Sequence, residues 1–174
     1  MQTSRGSTLK GVVTISLMAV NVVFWVPILL VVALAKLLIP LAAWRRWTSA
    51  LMIWIAQAWI SCNGAIFSLM GALRLEVEGV EGLDPRSWYL VLSNHQSWVD
   101  ILVLQKAFNR RIPFLKFFLK QELIWVPFLG LAWWALDFPF MKRHSATYLQ
   151  KHPQARGEDL DATRKACERF ALLP

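Results

Sequence analysis

The stretch "WYLVLSNHQSWVDILVL", residues 88–104, sets a histidine and an aspartate among polar residues between two apolar runs. Burying ionisable groups costs several kcal/mol, roughly, unless they are paired. The run "WYLVLS" (88–93) has the length and the continuous apolarity of a central strand covered on both faces. Ser97 followed three residues later by Asp100, just ahead of Ile101-Leu102-Val103-Leu104, is a helix-start signal. The reading is therefore strand, polar turn, helix, with a helix from about Ser97 to Phe108.

His95 and Asp100 are five residues apart, which on one continuous helix leaves them about 140° apart in azimuth. They meet only if His95 lies on the turn and Asp100 in the first helical turn, pointing back. Two roles fit that geometry. Asp100 can be a helix-start acid bonded to the Ser97 backbone, with His95 a hydrogen-bonded turn residue. Alternatively the pair is a general base and its orienting acid, placed at the C-terminal end of a central strand, where ligands bind in α/β sheets.

Upstream, the sequence belongs to a membrane. Apolar residues make up 56% of the chain and charged residues 17%, against roughly 45–50% and 25% in globular proteins. Residues 1–73 contain no acid, only Arg5, Lys10, Lys36, Arg45 and Arg46. Gly11–Ala35 and Trp47–Leu73 are uncharged runs, each long enough as a helix to cross a hydrocarbon core of roughly 30 Å. Lys36 to Arg46, with Pro40, is the connector, so residues 1–73 form a two-helix membrane hairpin. Trp44 and Trp47 around Arg45-Arg46 suit a headgroup interface, and the net charge of +8 is read as attraction to anionic lipid, not to nucleic acid. Pro27 should kink the first helix. Asn21, Trp25, Trp54 and Asn63 are unusual inside a simple span, and a hairpin immersed in one leaflet fits as well as a crossing one. Ala58, Ser61, Ala65, Ser68 and Ala72 form a close-packing seam for the first helix or for the residues beyond the hairpin.

Downstream, residues 74–174 read as an α/β domain. "RLEVEG" (74–79) alternates like a half-buried strand, "IPFLKFFL" (112–119) is a strand, "QELIWVPFLGLAWWAL" (121–136) a helix broken near Pro127 and Gly130, and "DFPFMK" (137–142) a strand. Glu158–Leu172 is a helix with Leu160, Cys167, Phe170 and Ala171 on one face. The two cysteines, Cys62 and Cys167, imply no disulfide framework. His144 and His152 have no Cys or acid at ligand spacing, so no metal is expected. No glycine-rich phosphate loop is present.

The ordered set of motifs over residues 75–143 resembles the glycerolipid acyltransferase family that includes bacterial lysophosphatidic acid acyltransferase. Its Asn-His-x-Ser-x-x-Asp signature is matched by Asn94, His95, Ser97 and Asp100, and the preceding strand and turn by "VEGVEGLDP". Its Lys-x-Glu-Leu…Pro…Gly segment is matched by Lys120, Glu122, Leu123, Pro127 and Gly130, and "FPFMKR" matches its second block, ending in Lys142 and Arg143. The family's third block, a Phe-Pro-Glu-Gly-Thr-Arg-like turn, is absent, and the chain is expected to be a fragment. The resemblance implies a hairpin followed by a truncated acyltransferase-like sheet flanked by helices. It implies acyl transfer from acyl-CoA or acyl carrier protein to a lysophospholipid hydroxyl, with no cofactor, at a membrane and by analogy the cytoplasmic face of a bacterial inner membrane.

His95 and Asp100 would then be catalytic, His95 as general base and Asp100 fixing its tautomer. Asn94, Ser97, Lys120, Lys142 and Arg143 would serve substrate binding, the cations by holding the acceptor phosphate. Basic pairs also mark solvated strand ends, and Ser97 is better suited to capping than to nucleophilic attack, since no Gly-x-Ser-x-Gly elbow surrounds it. Lys116 is read as snorkelling beside Phe114, Phe117 and Phe118. Trp133-Trp134 is read as core or as the lining of an acyl channel. Rival readings are a phospholipid transacylase that uses no thioester, and a non-enzymatic adaptor binding anionic lipid.

Overall fold

A computed structural model describes residues 2–71, 75–142, 148, 150 and 157–171. Two long helices dominate it, α1 (Gln2–Leu38) and α2 (Ala42–Met70). The helical assignment of α1 runs through Pro27 without a break, and the helix gives out two residues before Pro40, which lacks the N–H needed to continue it. At its far end α2 is closed by Gly71 at φ 57, whose N–H reaches the carbonyls of Phe67 and Ser68. That left-handed cap is open to glycine at little cost.

The seam between the two helices explains the polar residues inside the apolar runs. Val26 and Leu29 bury against Met52, Ile55 and Ala56. One step along, Asn21 Nδ2 donates to Asn63 Oδ1 at 2.9 Å and to the Trp59 carbonyl at 3.2 Å. Both asparagines are buried, so the pair fixes the register of the hairpin as a single polar contact in an apolar seam does in coiled coils.

The third helix, α3 (Trp98–Phe108), packs on α2 through the small-residue stripe. The Lys106 stem lies over Gly64, where an added Cβ would meet it at 3.6 Å, and its Nζ donates to Ser68 Oγ at 2.9 Å. Asn109, just past the helix, donates to Ser61 Oγ at 2.9 Å and to the Gln57 carbonyl at 3.2 Å. Ser61 and Ser68 thus serve the residues beyond the hairpin rather than the first helix.

There follow strand β1 (Leu119–Lys120), a 3-10 turn (Gln121–Trp125), helix α4 (Leu129–Ala135), strand β2 (Phe140–Met141) and helix α5 (Glu158–Ala171). The two strands pair in parallel, Leu119 beside Phe140 and Lys120 beside Met141. Ala132, Leu136 and Phe138 join the buried cluster that contains Val26, Leu29 and Met52. Phe114 meets Phe138 edge to face at 5.9 Å, and Lys36 pairs with Asp137 at 3.8 Å. One apolar core therefore joins hairpin and downstream residues.

The fold is mostly helical with a small parallel sheet, less than the expected α/β sheet. Residues 75–79 and 88–93 form no strand, and of 112–119 only Leu119 does. A strand needs an edge to pair with, and among the described residues β1 and β2 satisfy only each other. Trp88, Leu90 and Leu92 accordingly lie exposed, at 73%, 81% and 85%, where a central strand would bury them. The break in the 121–136 helix falls where it is expected. Among the described side chains of α5 Ala166 is buried and Cys167 is exposed, contrary to the face read from the sequence; Leu160, Phe170 and Ala171 offer no described side chains. The boundary between residues 73 and 74 lies outside the described residues.

Gly130 has a steric reason to be glycine. A Cβ built there would fall inside the Ile124 carbonyl group, and backbone cannot swing aside as a side-chain end can. We expect Gly130→Ala to cost at least about 1–3 kcal/mol, read as a Tm lowered by several degrees in detergent.

Candidate active site

Ser97 occupies the N-cap of α3 with extended backbone, φ −152 and ψ 163. Because residues 95–97 precede the helix, the chain folds back over its first turn and brings Asp100 to the bend. Asp100 Oδ2 accepts the Gln96 N–H at 2.6 Å and the Ser97 N–H at 2.7 Å. The Ser97 hydroxyl lies 3.4 Å from Oδ1. His95 Nδ1 stands 3.4 Å from the same Oδ2. The helix-start role and the histidine contact are thus both present, on one carboxylate. The distance to His95 exceeds the roughly 2.7–2.9 Å of a fully formed charge-assisted bond, as is common before substrate closes a site.

Asp100 is held below the usual carboxylate range. The Ser97 N–H is the main cause, then the Gln96 N–H, with the nearby His95 adding to it and partial burial opposing. A carboxylate at Nδ1 favours the tautomer with its proton there, leaving Nε2 with the lone pair. The His95 side chain is 62% exposed and that of Asp100 30%. Such a pair can accept a proton at an accessible nitrogen while its acid stays ionised.

Asn94 is exposed, and its carbonyl accepts the Ser93 hydroxyl at 2.8 Å. Lys120 ends β1, and Lys142 directly follows β2; both are exposed. The register that sets Lys120 beside Met141 puts these two lysines at the same C-terminal edge of the parallel pair. Arg143, His144 and His152 lie outside the described residues. No hydrogen bond or ion pair among the described residues links the His95 bend to the Lys120–Lys142 edge. The bend rides on α3 against α2, whereas β2 packs against α5 and α4 against α1. Nor does a strand lead into the bend, so its expected position at the mouth of a sheet is not found. Trp133 is half-buried against the core, and Trp134 is exposed. No three His, Cys, Asp or Glu side chains converge as metal ligands would among the described residues. Sequence reasoning missed the Gln96 N–H, which no side-chain pattern announces. It also missed a cavity beside the hairpin connector, signalled only by the bases at Lys36 and Arg45.

His95 and Asp100 thus meet on one bend at the start of α3, which packs on the second helix of the hairpin. Residues 74–168, more than half of the chain, match the family described as Acyltransferase, and the chain belongs to that family. It is similar to the 1-acyl-sn-glycerol-3-phosphate acyltransferase alpha proteins of Mus musculus, Homo sapiens and Bos taurus, 36% identical over 72 residues in each case. Each match covers 41% of this chain and 24% of the relative, so the aligned part is about a quarter of those proteins' length. No solved structure matches the chain.

The lowered Asp100 acidity fixes the sign of a pH effect. A carboxyl that is more acidic folded than unfolded stabilises the fold above its unfolded value of about 3.9, and the benefit is lost as pH falls through its folded value. Acidifying from pH 6 to pH 3 should therefore lower the Tm of the wild type by more than that of Asp100→Asn, which keeps an acceptor oxygen but cannot titrate. Equal losses would show that the bend does not hold its carboxylate in this way.

Proposed function

We propose that this chain transfers a fatty acyl group from a thioester donor, acyl-CoA or acyl carrier protein, to the hydroxyl of a lysophospholipid. The observation that carries the reading is the 3.4 Å approach of His95 to Asp100 within the family match. The acceptor hydroxyl gives its proton to His95 Nε2 as its oxygen attacks the thioester carbonyl. Asp100, through Oδ2, holds the ring and favours the imidazolium that forms. The new C–O bond makes the tetrahedral intermediate, and the C–S bond breaks as that intermediate collapses. The thiolate leaves and takes up the proton that His95 carries. Thiols ionise near pH 8.5, roughly, and leave readily, so no covalent enzyme intermediate is required. Ser97 caps α3 and sets the bend. Lys120 and Lys142, at the same C-terminal edge of the parallel pair, with Arg143 next in sequence and Asn94 beside the histidine, are assigned to the acceptor and its phosphate. A lysophosphatidic acid-like acceptor suits that charge. The remaining strands of an acyltransferase sheet belong to this proposal, with residues 1–73 as anchor and 74–174 as the catalytic part.

What packs beside the helices supports one membrane placement. Asn109 bonds to Gln57 and Ser61, well along α2, and Arg110 and Arg111 next to it are exposed. A pair crossing the hydrocarbon would bring these groups into it, at a cost of several kcal/mol, roughly. These contacts support a hairpin lying in one leaflet, with exposed Val20, Phe24, Val31 and Leu34 in lipid. Trp125, Phe128, Leu131 and Trp134 are exposed at a spacing of three, and α4 packs on α1, so this stripe extends the lipid-facing surface. The cytoplasmic face of the inner membrane, where thioester donors are made, is the proposed location.

His95→Ala should lower acyl transfer by about 10²–10⁴-fold with vesicle binding unchanged, measured with labelled thioesters and a panel of lysophospholipids. Transfer that persists without any thioester would identify a transacylase, and an unchanged rate would sink the mechanism. Trp125→Asp with Leu131→Asp should weaken vesicle partitioning several-fold while leaving Tm in detergent unaltered; unchanged partitioning would remove the stripe from the membrane.

A further inference from the structure

Beside the hairpin connector lies a cavity of about 510 Å³, within the roughly 300–1,000 Å³ range of small-ligand sites. It is lined by Lys36, Arg45 and Lys165 around one carboxylate, Asp137, with apolar walls that include Leu37 and Trp134. The connector is held in shape by Trp44, whose indole N–H donates to the Ala35 carbonyl at 2.9 Å and whose ring lies 5.3 Å from that of Trp47. This brings the last turn of α1 beside the first turn of α2, and so Lys36 towards Arg45. Lys36 is the one cation already neutralised, by Asp137 at 3.8 Å. Arg45 and Lys165 are exposed, and their side chains make no hydrogen bond or ion pair among the described residues.

The cavity is separate from the His95 bend. Lys106 anchors α3 at Ser68, about 35 Å further along α2 from Arg45 by helical rise. Asn109 sits on Gln57 and Ser61, so α3 runs antiparallel to α2 and carries the bend further still from the connector. Lys120 and Lys142 do not line the cavity.

We propose that this cavity binds the phosphodiester headgroup of an anionic phospholipid. Two open cations give the charge, and a guanidinium and an ammonium together suit a phosphate. Apolar walls accept the glycerol and the first methylenes. Tryptophans on the connector and on Trp134, which is exposed and continuous with the Leu131 stripe, set the opening at headgroup level. The site needs neither His95 nor acyl transfer, and a binding readout tests it whatever the fate of the catalytic reading.

The test uses the full chain in neutral detergent, with Tm and native mass spectrometry as readouts. Phosphatidylglycerol is titrated against phosphatidylcholine, with soluble glycerol 3-phosphate as a third arm. The wild type should gain Tm with phosphatidylglycerol alone. Arg45→Gln with Lys165→Gln should weaken binding by about 10–30-fold, while their Tm without lipid stays at the wild-type value. Trp134→Ala should also weaken it. Arg46→Gln with Arg111→Gln removes the same charge outside the cavity and should bind as the wild type does. Equal loss in both double variants would overturn the proposal in favour of diffuse attraction. Equal stabilisation by soluble glycerol 3-phosphate would overturn the lipid as the source of the phosphate.

Discussion

A single carboxylate oxygen, Asp100 Oδ2, closes the bend on which the candidate chemistry depends. It takes the N–H groups of Gln96 and Ser97 and faces His95 Nδ1. The first two contacts hold Asp100 in place and ionised, and a fixed, ionised acid is what an imidazole needs as a partner. Capping and orientation are therefore one arrangement. A free aspartate five residues from a histidine would spend most of its time elsewhere, because side-chain ordering costs entropy that a lone exposed ion pair does not recover.

The hairpin does more than tether. Its seam carries a buried asparagine pair, its second helix carries α3 on a stripe of small residues, and its first helix shares a core with Ala132, Leu136 and Phe138. Polar groups anchored along the length of α2 constrain the depth at which the helices can sit. On the one-leaflet placement proposed above, the same packing that positions α3 also limits that depth, through the high cost of placing Asn109 or Arg111 in hydrocarbon.

What was legible in the sequence follows from how local each signal is. The hairpin was readable because two uncharged runs around Pro40 admit few other folds. The α3 start was readable because Ser97 and Asp100 encode a cap within four residues. "WYLVLS" misled because its apolarity describes burial, and burial of a strand needs partners that the sequence of the strand does not name. Asn21 and Asn63 stood out singly as oddities, yet their contact spans 42 residues and depends on the helix seam. The connector cavity needs α1, α2, α4 and α5 together, and no local pattern could show it. Of the site residues, His95 and Asp100 share one bend, while Lys120 and Lys142 fall at one end of a strand pair that only the register reveals.

The charge asymmetry along the chain acquires a structural meaning at Asp137. With no acid in residues 1–73, any internal partner for the connector bases must come from downstream, and Asp137 reaches Lys36 from a left-handed turn at φ 58. Aspartate tolerates that conformation better than most residues, so the turn after α4 can deliver a carboxylate to the hairpin. One acid against the three bases Lys36, Arg45 and Lys165 leaves the cavity positive, an excess that the proposed headgroup would meet. A second carboxylate there would strengthen the internal contact and weaken attraction to an anionic surface by the same Coulomb term. The partial neutralisation by Asp137 holds the hairpin to the rest of the fold and still leaves Arg45 and Lys165 to meet an anion.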